Sequence, residues 1–161
     1  MLNSFLRRIR DMRYNDGIIR WSKIATVLFI AIVVVADVFG VPIAKYISYT
    51  YAEKYDDLTK LVLTLVWYLG TVGAYVILIS VFKLLSNMSK DIVFDRSNTK
   101  LMNIIAGALI GIGVVCAAGG VVWIGSSFLT IIALFMALIV MCVKVVFGKA
   151  IEMKEEMDLT I

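Results

Sequence analysis

Four long apolar stretches, at about 21–40, 60–83, 101–124 and 128–147, alternate with short polar ones along this chain of 161 residues. A helix rises roughly 1.5 Å per residue, so about 20 apolar residues cross the roughly 30 Å of bilayer hydrocarbon once. The first stretch opens at Trp21, an aromatic of the interfacial kind, and stops at Gly40 and Pro42. The second, Leu61 to Phe82, carries Gly70, Gly73 and Ala74, small residues that let another helix approach. From Leu101 to Val143 there are 43 residues and no charge, about twice one crossing, so the chain must turn back within them. Gly119-Gly120 and Gly125-Ser126-Ser127 compete for that turn. The second site leaves two spans of ordinary length, and the turn is expected there.

The pattern predicts an all-α fold: an integral membrane four-helix bundle of two antiparallel helical hairpins over 21–147. Residues 1–20 put Leu2, Phe5, Leu6, Ile9 and Met12 at helical spacing, with Arg7, Arg8, Arg10 and Arg13 around the rest of the wheel. That is an N-terminal amphipathic basic helix ending near Asn15-Asp16-Gly17, lying on anionic headgroups or offering its apolar face to a partner. Val34-Val35-Ala36 is small enough for signal-peptide cleavage, but the basic leader is long and the segment reads as an uncleaved anchor. The acidic tail, 148–161, is short enough to extend the last helix beyond the membrane.

Composition supports the membrane reading, with 61% hydrophobic residues and a mean hydropathy of +0.95 beyond what a soluble surface allows. Histidine is absent, which removes the commonest general base and metal ligand. Cys116 and Cys142 both lie in apolar segments as packing residues. The residues assemble no catalytic, cofactor or metal constellation, and the expectation is a protein that is not an enzyme. Without a basic soluble domain, no direct nucleic-acid binding is expected either.

Thirteen Lys and Arg fall in the leader, the 83–100 connector and the tail, against three in the 41–60 loop. Both termini and the connector are therefore expected in the cytoplasm of a multi-pass plasma membrane protein. Asp37 is the lone carboxylate within an apolar span, which makes it a candidate intramembrane polar site. Three residues before Gly40, it is expected near the outer interface, within reach of water or Lys45. Tyr46, Tyr49, Tyr51 and Tyr55 in the outer loop read as an interfacial belt or as a recognition surface. Gly107 and Gly111 form a GxxxG, and Gly113 with Ala117 repeats the spacing. Packing within the bundle is the preferred reading there, and a homo-oligomer seam the alternative.

In the connector, Asp95 is placed to cap the third helix, with Asn98 three residues later, while Ile92, Val93 and Phe94 tuck beneath the bundle as a plug. Phe94-Asp95-Arg96-Ser97-Asn98-Thr99-Lys100-Leu101 and the ending Glu155-Glu156-Met157-Asp158-Leu159-Thr160-Ile161 resemble the DUF2975 family of small bacterial four-span membrane proteins. There a Phe-x-x-x-Asn motif precedes the third span and the chain ends in Asp-Leu-Thr-Ile. Val93 stands where that family commonly has Pro, and Met102-Asn103 where a basic residue often follows. Members are commonly encoded beside a small helix-turn-helix transcription regulator. The resemblance thus implies a membrane protein that binds or restrains such a regulator, with Phe94, Asp95, Asn98, Asp158, Leu159, Ile161, Arg7 and Arg8 as candidate partner-binding residues. An immunity protein against a membrane-active peptide, using the outer tyrosines, is the alternative. A transporter or channel subunit ranks below both, because the spans carry one acid and no polar row.

Overall fold

The computed structural model describes residues 2–51, 57–90 and 92–158, with the side chains of 2–16, 48, 51 and 158 outside the description. Among the described residues five helices follow one another: α1 (Leu2–Val38), α2 (Gly40–Tyr51), α3 (Asp57–Met88), α4 (Arg96–Gly119) and α5 (Ile124–Asp158). Four segments are long and apolar enough to cross a membrane: Gly17–Val38, Asp57–Met88, Arg96–Gly119 and Ile124–Met157. The chain is an all-α, multi-pass membrane protein, and its four-helix bundle packs in chain order. The pairs α1 and α3, α2 and α3, α3 and α4, and α4 and α5 lie against one another, and α1 meets α2.

The boundaries differ from the expected ones in ways the residues explain. α1 continues through Asn15–Gly17, joining the basic segment and the first span in one helix. A lone glycine in a helix costs only about 1 kcal/mol relative to alanine, too little to end it here. The expected outer loop contains α2. At the far end α4 stops at Gly119, and α5 begins at Ile124, so the turn takes the Gly119-Gly120 site. Gly120 N–H donates to the carbonyls of Cys116 and Ala117, at 2.9 and 3.1 Å, and closes α4. Gly125-Ser126-Ser127 then forms the first turn of α5, where buried Ser126 donates its hydroxyl to Cys116 O at 2.7 Å. The hydroxyl that marked this site as a turn is instead spent on joining the two helices.

Small residues set the close approaches, at other positions than expected. A Cβ at Gly73 would stand 2.5 Å from Ile112 Cγ1, and one at Gly113 would stand 3.1 Å from Leu134 Cδ2. At Gly119 the neighbours are Ser126 Oγ at 2.8 Å and Val66 Cγ2 at 3.0 Å. Gly107 and Gly111 meet nothing within 4 Å, and both face outward. Packing within the bundle therefore does not account for the GxxxG; the α3–α4–α5 contacts run through Gly73, Gly113 and Gly119.

A valine at Gly73 or Gly119 should cost about 1–3 kcal/mol through overpacking, whereas valine at Gly107 or Gly111 leaves the bundle intact. Unfolding curves of the four variants in one detergent would check this, and equal losses at all four positions would refute the packing assignment.

Candidate functional site

The two hairpins are joined between Met88 and Arg96, and the chemistry there centres on Asn98. Its side chain is fully buried. Its amide nitrogen donates to Ile92 O at 2.7 Å and to Val93 O at 2.8 Å, while its Oδ1 accepts from Asn87 Nδ2 at 2.8 Å. A primary amide has two donor hydrogens and a carbonyl acceptor, and all three are engaged. Leucine would fill the space and leave the connector carbonyls bare. Asn87 also anchors the connector through its own carbonyl, which accepts from Lys90 N–H and Ile92 N–H, both at 3.0 Å.

Asp95 caps α4 as expected. Its backbone is extended, with φ −134° and ψ 142°, and its Oδ1 accepts from Ser97 N–H at 2.7 Å. Hydrogen bonds from Ser97 hold this carboxyl below its ordinary range, and Lys100 and Lys154 add to the effect. One residue on, Arg96 reaches across to α5 in a two-point contact with Glu155. Nε meets Oε1 at 3.1 Å, and Nη2 meets Oε2 at 2.7 Å. Exposed as it is, this pair adds little stability and mainly fixes the register between the start of α4 and the end of α5.

Phe94 does not plug the bundle. It is 49% exposed, and Ile92 is also exposed. The Phe94 ring leans against Phe147, with centroids 6.4 Å apart and planes at 33°. Its other side opens on a groove of about 760 Å³ lined by Phe94, Ala150, Met153, Lys154, Glu156 and Met157. Four apolar side chains, one from the connector and three from α5, thus line it beside one cation and one anion. Such a groove, with unbranched methionines that adapt to an irregular face, suits an amphipathic helix.

The candidate partner residues therefore separate. Phe94 lines the groove, while Asp95 and Asn98 hold the backbone that presents it. Arg7 and Arg8 lie in α1 and Asp158 ends α5, but their side chains are outside the described residues, as are Leu159 and Ile161. Met153 and Met157, absent from the expected site, were legible only as apolar positions in an acidic tail. Among the tyrosines, Tyr46 and Tyr49 are exposed on α2, while the side chain of Tyr51 and all of Tyr55 lie outside the described residues.

Asp37 lies against α3. Its Oδ2 accepts from Tyr75 OH at 2.8 Å, and its backbone carbonyl accepts from Tyr68 OH at 3.3 Å. Tyr75 lies inside the apolar part of α3, about two turns from Phe82 and about four from Leu61. The chain goes on beyond Asp37 along α3, because Gly40 lies against Trp67 and Tyr68 and Ala44 is buried. α1 thus ends at Val38, and α2 carries the chain onward against α3.

Asn98→Leu should cost about 1–3 kcal/mol for each carbonyl that water does not reach, read as a lower melting temperature and faster amide exchange across residues 87–98. Acid should loosen the same region. Asp95 has a depressed folded value, so its contribution is present above the ordinary carboxylate range and lost as pH falls through the folded value. Exchange at the start of α4 should rise on acidification, and Asp95→Asn should remove that response.

Comparison at the family level matches residues 40–161 to DUF2975, described as a protein of unknown function. No curated protein and no solved structure matches the chain. The match covers α2 through the carboxyl-terminal end, and the chain belongs to the DUF2975 family.

Proposed function

We propose that this DUF2975 member is a non-enzymatic membrane anchor of the bacterial plasma membrane that binds or restrains a cytoplasmic helix-turn-helix transcription regulator. The groove between the connector and the end of α5 supports this reading. It lies where α5 runs past Lys144 and Lys149 and where Lys83, Lys90, Arg96 and Lys100 cluster. The positive-inside rule assigns that basic end to the cytoplasm. Phe94, Met153 and Met157 are 49%, 58% and 65% exposed, a costly arrangement for a surface in water unless something covers it. An amphipathic helix of a small regulator would bury these three residues, with Lys154 and Glu156 at the rim for its polar positions. The pairing of this family with helix-turn-helix regulators supplies the identity of the partner, by analogy alone.

Exposed Tyr46 and Tyr49 on α2 suit the immunity reading, but an interfacial aromatic belt would place them there equally.

The test uses full-length protein in nanodiscs and the helix-turn-helix regulator from its own gene neighbourhood. Phe94→Ser, and separately Met153→Lys with Met157→Lys, should lower co-purified regulator at least about ten-fold, about 1.4 kcal/mol of binding, with membrane insertion unchanged. Undiminished recovery in both variants would remove the groove from the proposal.

A further inference from the structure

We propose that the break between α1 and α2 is a binding site for a hydrated alkali-metal cation, with the Asp37 carboxylate as its charged ligand. Depth makes the site unusual. Between Lys23 and Asp37 the chain holds 13 uncharged residues, Ile24 to Ala36. They rise only about 20 Å, short of the roughly 30 Å of hydrocarbon. The pairing along α3 agrees. Lys23 Nζ donates to Ser89 Oγ at 2.7 Å at one end of the α1–α3 contact, and Tyr75 meets Asp37 fourteen residues away along both helices. Asp37 therefore stands within the hydrocarbon, with α2 still to come.

A carboxylate at that depth needs partners for both oxygens. Tyr75 OH supplies one to Oδ2, but Oδ1 is buried with no hydrogen-bond partner. The backbone around it is rich in oxygen. α1 ends at Val38, so the negative end of its dipole and its last carbonyls face the break. Pro42 has no N–H to give to the carbonyl of Val38, four residues back. The Asp37 carbonyl takes only a 3.3 Å contact from Tyr68 OH. The end of a half-helix beside an intramembrane acid is the arrangement that favours a cation inside a bilayer.

A second orphan decides the hydration. Trp67 Nε1 is buried without an acceptor, and its indole is packed on Gly40, where a Cβ would stand 2.7 Å from Nε1. A bare cation cannot accept from an N–H group. A water in the cation's shell can, and it would satisfy Trp67 while the cation satisfies Oδ1. Charge selects the valence. Among the described residues no three His, Cys, Asp or Glu converge, so one carboxylate faces one ion. A single positive charge leaves the site neutral, whereas a divalent ion leaves an uncompensated charge in a medium of low dielectric.

The experiment measures thermal unfolding of the full-length protein in nanodiscs of neutral lipid. Sodium, potassium or choline chloride is titrated at constant ionic strength. Sodium or potassium should raise the melting temperature saturably, by about 2–5 °C at ten times Kd, and choline should not. Asp37→Asn should abolish the response while helicity and monodispersity are retained. An equal rise with choline, a response confined to magnesium or calcium, or an undiminished response in Asp37→Asn would overturn the assignment. Should Asp37→Asn not fold, the double variant Tyr68→Phe and Tyr75→Phe carries the test. Its half-saturating concentration should rise at least about three-fold, and an unchanged one overturns the site.

Discussion

Everything at the basic end of this protein depends on how one buried amide is satisfied. Asn98 belongs to α4 by position and to the connector by its bonds, since both of its donors go to Ile92 and Val93 carbonyls and its acceptor takes Asn87. A helix hairpin can be joined to another by any polar linker of adequate length. This linker is held in one conformation because a loop passing close under two helices would otherwise leave its carbonyls unpaired. Fixing Ile92 and Val93 fixes Phe94, and with it the wall of the groove that α5 completes. Asp95 and the Arg96–Glu155 pair act on the same geometry from outside. They are solvent-facing contacts that set direction and register more than they supply stability.

The second constraint is hydrocarbon thickness. α3 and α5 are much longer than a crossing requires, and their surplus emerges at the basic end, where α5 contributes Met153 and Met157. The first crossing has the opposite problem. Its uncharged run before Asp37 is too short, and the chain responds with a break at Phe39, a new helix, and an Asp37 whose carboxylate is held by Tyr75 and whose backbone carbonyl is met by Tyr68. A long helix builds the surface at one end, and a short one builds the polar break within the bilayer. Packing in chain order permits both, because α1 and α5 each press against a single neighbouring span and can extend or bend without displacing the others.

The four crossings were legible because hydrophobic length is a one-dimensional property and a bilayer enforces it. The Asp95 cap was legible for a similar reason, since it needs only a short polar residue just ahead of an apolar helix. The remainder turned on contacts between distant positions. Ser126 marks a turn when read beside Gly125 and Ser127, yet its hydroxyl closes on Cys116 and leaves the turn to Gly119 and Gly120. Gly107 and Gly111 satisfy the spacing for close packing, but which face of a uniformly apolar helix turns inward depends on the neighbours, and those chose Gly113 and Gly119. Asn98 resembled a surface residue because polar residues in connectors usually are. Only the carbonyls of Ile92 and Val93 show otherwise.

Asp37 shows most clearly why depth cannot be counted from the nearest glycine. Gly40 and Pro42 are the ordinary signs of a span ending, and an acid three residues earlier then belongs to the interface. Those same residues can break a helix in mid-membrane when another helix supplies partners for the exposed backbone. Here α3 does so with Tyr68 on the Asp37 carbonyl, while Tyr75 meets the carboxylate and the indole of Trp67 packs on Gly40. The two outcomes differ in the path of the chain beyond the glycine. At a true end the chain leaves the bundle, whereas here Ala44 is buried and α2 continues along α3. A neighbouring helix with aromatic hydroxyls at Tyr68 and Tyr75, seven residues apart on one face, is therefore the feature that separates a broken span from a finished one. Both were present in the sequence, and their meaning depended on the antiparallel register that brings residue 75 opposite residue 37.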